Sequence, residues 1–79
     1  MYLSDAMRIR IKNLIDENNI NANKLALTAG INRSNINRFL RGQNKSITIE
    51  SITLICQALN ITLKDFFDDS LFKNVDIND

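Results

Sequence analysis

Residues 20–42, INANKLALTAGINRSNINRFLRG, decide how this chain reads. They spell two short helices meeting at a tight turn. Asn21 caps the first, and Leu25 and Ala26 give it a small apolar face. The turn falls at Thr28-Ala29-Gly30-Ile31, where Gly30 can take the positive φ that a sharp helix exit needs. Asn32 caps the second helix, whose Ile36, Phe39 and Leu40 recur at i, i+3 and i+4 and so share one face. Ser34, Asn35, Asn37, Arg38 and Arg41 occupy the other face, and every one of them is cationic or hydrogen-bonding. A helix so anchored inside and so polar outside is built to present its surface. The helix-turn-helix does this by placing its second helix in the DNA major groove.

One local device recurs along the chain. Ile20-Asn21, Ile31-Asn32, Ile47-Thr48 and Ile61-Thr62 each set a capping residue after an isoleucine, and Leu25, Ile36, Ile52 and Phe66 follow five positions after those isoleucines. This is the hydrophobic staple around an N-cap, and the last copy adds Asp65 where a capping box needs an acid. The staples predict helix starts at about residues 22, 33, 49 and 63. A further helix over 5–18 precedes them, capped by Ser4 or Asp5, with Met7, Ile11, Leu14, Ile15 and Asn18 on its inner stripe. Arg8, Arg10 and Lys12 fall off that stripe and are expected to reach solvent or phosphates. The fourth helix, 49–59, buries Ile52, Ile55, Cys56 and Leu59, and the fifth, about 63–67, closes the core with Phe66 and Phe67. The reading is an all-α bundle of five helices. It comprises a domain over residues 1–69 and a tail over 70–79 that either serves dimerisation or is disordered. Within that tail Leu71, Phe72, Val75 and Ile77 suit either a frayed end or a short pairing strand.

The totals narrow the function. Seventy-nine residues with 44% hydrophobic and 24% charged content describe one small globular domain rather than a disordered chain. Histidine is absent and Cys56 is the sole cysteine, so neither an intrachain disulfide nor a Cys/His metal cluster is expected, and no cofactor. Asp16-Glu17 diverge on a helix and Asp68-Asp69 lie at a helix end, which leaves no convincing catalytic pair; the chain reads as a non-enzyme. No signal peptide or transmembrane run is visible, and a cytoplasmic location is the expectation. Net charge is only +1. Yet residues 8–45 carry eight cations against Asp16 and Glu17, a balance of +6, whereas residues 46–79 come to −4. The basic half holds the helix-turn-helix, the asymmetry of a DNA-facing surface.

The order Leu25-Ala26, Gly30-Ile31, Ile36, Phe39, Gly42, Ile49-Glu50-Ser51-Ile52, Leu59-Asn60-Ile61 and Leu63-Lys64-Asp65-Phe66 resembles the Cro/CI-type helix-turn-helix family. These are phage-repressor-like (XRE-like) DNA-binding domains. The resemblance spans about residues 7–67 and implies a five-helix lambda-repressor-like fold with the second and third helices as the motif. It implies that Arg33, Ser34, Asn35 and Arg38 read base edges, with Asn37 at the rim of the same face. Their chemistry suits the task, since Arg can donate bidentately to guanine and Asn can pair with adenine. It implies phosphate contacts from Asn21 and Asn23, from Arg41, Gln43, Asn44 and Lys45, and from Arg10. Three positions depart from the family. Ala22 stands where a glutamine often braces the third helix, Ile47 where proline is common before the fourth helix, and Leu40 where a polar residue is usual.

Two functions fit this reading. The first is a sequence-specific regulator of phage or prophage Cro-like type, a repressor binding an inverted-repeat operator as a homodimer. Its dimer contacts would come from the fifth helix, Leu40 or Leu71, Phe72, Val75 and Ile77 of the tail. The second is an antitoxin or other interaction module that holds a protein partner through its acidic C-terminal half and also binds DNA.

Overall fold

Each of the four isoleucine–cap pairs starts a helix. The structure, a computed structural model, describes residues 1–77; Asn78 and Asp79 of the expected tail lie outside the described residues. The elements are α1 (Leu3–Glu17), α2 (Ala22–Ala29), α3 (Arg33–Leu40), α4 (Ile49–Leu59) and α5 (Leu63–Phe67), then a 3-10 turn at Ser70–Phe72. The Asn21 side chain accepts from the Lys24 N–H at 2.8 Å, and Asn32 from the Ser34 and Asn35 N–H groups at 2.8 and 3.3 Å. Thr48 accepts from the Ser51 N–H at 3.1 Å, and Thr62 from that of Asp65 at 3.0 Å. Asp65 answers by accepting the Thr62 N–H at 3.1 Å, so the capping box is complete. Such caps are worth about 1 kcal/mol each. The staple partners Leu25, Ile36, Ile52 and Phe66 are buried, and Ile20, Ile31, Ile47 and Ile61 pack against the same cluster.

The helix exits repeat a second device. Asn19, Gly30, Gly42 and Asn60 adopt left-handed φ values of 54°, 73°, 82° and 58°. After each, the next N–H returns to a carbonyl five residues back: Ile20 to Ile15, Ile31 to Ala26, Gln43 to Arg38 and Ile61 to Cys56, at 2.9–3.2 Å. This bond satisfies a carbonyl that the helix end leaves open. Three of the returning residues are staple isoleucines, so in a single residue the backbone N–H closes one helix and the side chain staples the start of the next. The bond also moves the expected turn. Thr28 and Ala29 are helical, with the Thr28 hydroxyl donating to the Lys24 carbonyl at 2.9 Å, and the reversal is Gly30-Ile31-Asn32.

Packing places α2 against both α3 and α4, α1 against α3 and the 3-10 turn, and α5 against α4. Ile11, Leu25, Ile36, Phe39, Ile52, Ile55 and Phe66 fill the centre. Each such side chain contributes about 1.5–3 kcal/mol by leaving water. Leu40 is half-buried on the core's edge rather than free. Cys56 is buried, and burial raises its thiol pKa although Arg10 acts in the opposite sense.

The start of the chain differs from expectation. α1 begins at Leu3, earlier than residue 5, and neither Ser4 nor Asp5 caps it; Tyr2 holds the cap position without a side-chain bond. The tail supplies what the side chains do not. The Asp76 carbonyl accepts the Leu3 N–H at 2.7 Å, and the Asp76 N–H donates to the Met1 carbonyl at 3.0 Å, forming one parallel bridge. Phe72 meanwhile stacks edge-on against Phe67 at 5.1 Å and lies 6.0 Å from Phe66. Phe72 and the Asp76 bridge thus pack against the helices and the N-terminus, while Ile77 is 81% exposed.

Two outcomes follow from these local devices. A Cβ on Gly30 would meet nothing within 4 Å, so Gly30→Ala is opposed by its φ of +73° alone. The expected loss is about 1–2 kcal/mol in urea unfolding, with Gly30→Asn losing less. The Thr62 backbone and hydroxyl bonds lower the Asp65 pKa below the ordinary aspartate value. A lowered folded-state pKa adds stability that is present above the unfolded value, about 4, and is lost as pH falls through the folded one. Urea midpoints measured from pH 5 downward are therefore expected to fall less steeply for Asp65→Asn than for the parent chain.

Candidate nucleic-acid interface

α3 is only eight residues long, and alone it would not persist in water. Its Asn32 cap at one end, the Gly42 reversal at the other, and Ile36 and Phe39 beneath hold it in place. What remains of its surface is the polar face. Arg33, Ser34, Asn35 and Arg38 are exposed, as is Arg41 just past the last turn. The Arg38 guanidinium reaches the Asn35 side-chain oxygen at 3.5 Å, so these two groups project side by side from successive turns. Asn37 is half-buried, and its amide donates to the Asn23 side-chain oxygen at 3.2 Å. That bridge ties α2 to α3 near the position where Ala22 offers no brace.

The remaining expected contacts frame this face. Asn21 stands at the start of α2, but its side-chain oxygen is occupied by the cap, leaving the amide N–H groups outward. Arg41, Gln43 and Lys45 are exposed on the loop that follows α3, with Asn44 half-buried among them. Ser46 of the loop, the α4 cap Thr48 and Ser51 in the first turn of α4 line a cleft of about 270 Å³ shared with Asn35 and Asn44. Of these the sequence marks only Asn35 and Asn44 as DNA contacts.

Arg10 lies elsewhere. Its guanidinium donates to the Phe66 and Asp65 carbonyls at 2.8 and 2.9 Å, lies 5.8 Å above the Phe66 ring and pairs with Asp69 at 3.5 Å. The open carbonyls at the end of α5 claim its donors, so its guanidinium is engaged within the fold, away from the face of α3. Arg8 is likewise withdrawn from solvent: it is 8% exposed and donates to the Phe39 and Asn44 carbonyls at 2.6 and 2.7 Å. Sequence position could not reveal this, because both acceptors are backbone atoms more than thirty residues away. The ion pairs among the described residues are Arg8–Asp5 and Arg10–Asp69. Lys12, Lys24, Arg33, Arg38, Arg41 and Lys45 stay exposed outside them.

Among the described residues no three His, Cys, Asp or Glu side chains gather to hold a metal, and no helix is long and apolar enough to cross a membrane. The chain is similar over 95% of its length, and over all of the other chain, to the crystal structure of the prophage Lp1 protein 11, with 32% identity and a TM-score of 0.82. No curated protein matches it. Residues 10–70 match the family described as the Cro/C1-type HTH DNA-binding domain, a span running from within α1 to the start of the 3-10 turn. With its five helices, its capped α2–α3 turn and the exposed polar face of α3, the chain belongs to the Cro/C1-type helix-turn-helix family of DNA-binding regulators.

Proposed function

We propose that this protein is a dimeric repressor of Cro-like prophage type that binds an inverted-repeat operator. The observation that carries the reading is the exposed face of α3, where Arg33, Ser34, Asn35 and Arg38 face outward over a buried anchor of Ile36 and Phe39. In this reading those four read base edges from the major groove, with Asn37 at the rim held by Asn23. Asn21, Asn23, Arg41, Gln43, Asn44 and Lys45 meet phosphates on either side. Arg and Asn projecting together suit a step that offers guanine O6/N7 beside an adenine edge. One short helix touches few base pairs, and a two-fold repeat doubles the sequence read while matching protein symmetry to operator symmetry. Of the apolar tail residues offered for the dimer contact, Leu71, Phe72 and Val75 are turned partly into their own domain, and Ile77, 81% exposed, is open to a second copy.

Selection of binding sites from random duplex DNA tests the reading. The expected product is a palindrome whose half-sites lie about 34 Å apart along the helix axis. Weak binding without any enriched sequence would instead favour the protein-partner reading, with the helix-turn-helix serving as scaffold. On the selected site, Arg38→Ala and Asn35→Ala are expected to relax base preference, at about 1–3 kcal/mol per base pair misread. Arg41→Ala and Lys45→Ala are expected to weaken binding to every sequence and to reduce the salt slope by about 1 each. Four variants that behaved alike would refute the division into base readers and phosphate contacts.

A further inference from the structure

Arg8 is a buried residue on α1. Its guanidinium lies 4.8 Å above the Phe39 ring, and its three kinds of nitrogen are all engaged. Nε donates to the Phe39 carbonyl at 2.6 Å, Nη2 to the Asn44 carbonyl at 2.7 Å and Nη1 to the Asp5 carboxylate at 2.8 Å. Phe39 lies in the last turn of α3, and Asn44 in the loop between Arg41 and Lys45. The same loop is returned to α3 by the Gly42 N–H on the Phe39 carbonyl at 3.0 Å and the Gln43 N–H on the Arg38 carbonyl at 2.9 Å. One planar fork on α1 therefore spans the end of the reading helix and the loop beside it. Its geometry sets the spacing between them, which a lysine's single ammonium could not do.

We infer that Arg8 is a positioning residue for DNA binding. Without meeting the duplex, it holds the loop after α3 at the height where Arg41, Gln43 and Lys45 reach phosphates while α3 reads bases. The inference rests on the interface proposed above. Because it acts through the loop, Arg8 governs affinity for all sequences alike and leaves base preference untouched. Asp5 plays the lesser part: its side chain is 53% exposed, so it offsets the charge without fixing the fork.

Arg8→Lys in the full chain, with Asp5→Asn beside it, tests this by two readouts. The first needs no DNA: amide hydrogen exchange at Gly42, Gln43 and Asn44, compared with the core amides of α4. For Arg8→Lys the loop amides are expected to exchange about tenfold faster while α4 keeps its protection, since local opening need not involve the core. The second is affinity for the selected site and for an unrelated duplex at several salt concentrations. Arg8→Lys is expected to lose about tenfold on both, with a salt slope shallower by roughly 1. Added to Lys45→Ala it should lose less than the two single changes combined, because both act through one loop. Asp5→Asn is expected to match the parent in both readouts.

Unchanged loop exchange in Arg8→Lys, a loss confined to the selected site, or full additivity with Lys45→Ala would each overturn the inference. So would Asp5→Asn loosening the loop as much as Arg8→Lys does. Should Arg8→Lys not fold, Arg8→Gln, which leaves no ammonium to bury, is measured instead; loss of α4 protection there too would make Arg8 a purely structural residue. A parent chain that bound no duplex would defeat the DNA reading itself. That failure is distinct, because the loop amides report on Arg8 without DNA.

Discussion

The reversal at Gly30, Ile31 and Asn32 is the constraint on which the rest of the molecule turns. Gly30 takes a left-handed φ of 73° that leads the chain out of α2, Ile31 packs on the core, and Asn32 caps α3. Each job is assigned to a residue type suited to it, and all three occur within one turn. α3 has too few residues to be stable by backbone bonding alone. Its existence, and the direction of its polar face, follow from that reversal together with the burial of Ile36 and Phe39. A reading surface made this way is stiff because its opposite side is core.

Charge is divided between two duties. Arg8 and Arg10 leave the surface to bond carbonyls at the ends of α3 and α5, where helix geometry leaves acceptors open. A guanidinium can do this because its flat face lies against Phe39 or Phe66 while its edge donates. Of the exposed cations of the same half, Arg33, Arg38, Arg41 and Lys45 gather on α3 and the loop beyond it, whereas Lys12 and Lys24 lie on α1 and α2. The molecule's small net charge thus conceals a sorted arrangement, in which inward Arg8 braces the element that carries outward cations and inward Arg10 closes α5.

Asn37 and Asn23 show how a departure at one position is met at another. Ala22 has no polar side chain to brace α3, and the Asn37–Asn23 bond joins the two helices one residue further on. The tail plays a similar part for α1. No side chain caps that helix, and the Asp76 carbonyl takes the Leu3 N–H in its place.

The sequence by itself determined the helices from α2 onward, their starts at Ala22, Arg33, Ile49 and Leu63, and the outward face of α3. Caps, staples and left-handed exits act over three to five residues, so their energetics are written in neighbouring letters. Tertiary structure alone decided the fates of Arg8 and Arg10, the start of α1, and the contacts of Phe72 and Asp76. Arg8 meets acceptors 31 and 36 positions away, and Arg10 meets one 56 positions away. A lone arginine reads as a surface cation because exposure is its usual state. Whether it turns inward depends on open carbonyls and an aromatic face being brought together, and only the packed chain brings them there.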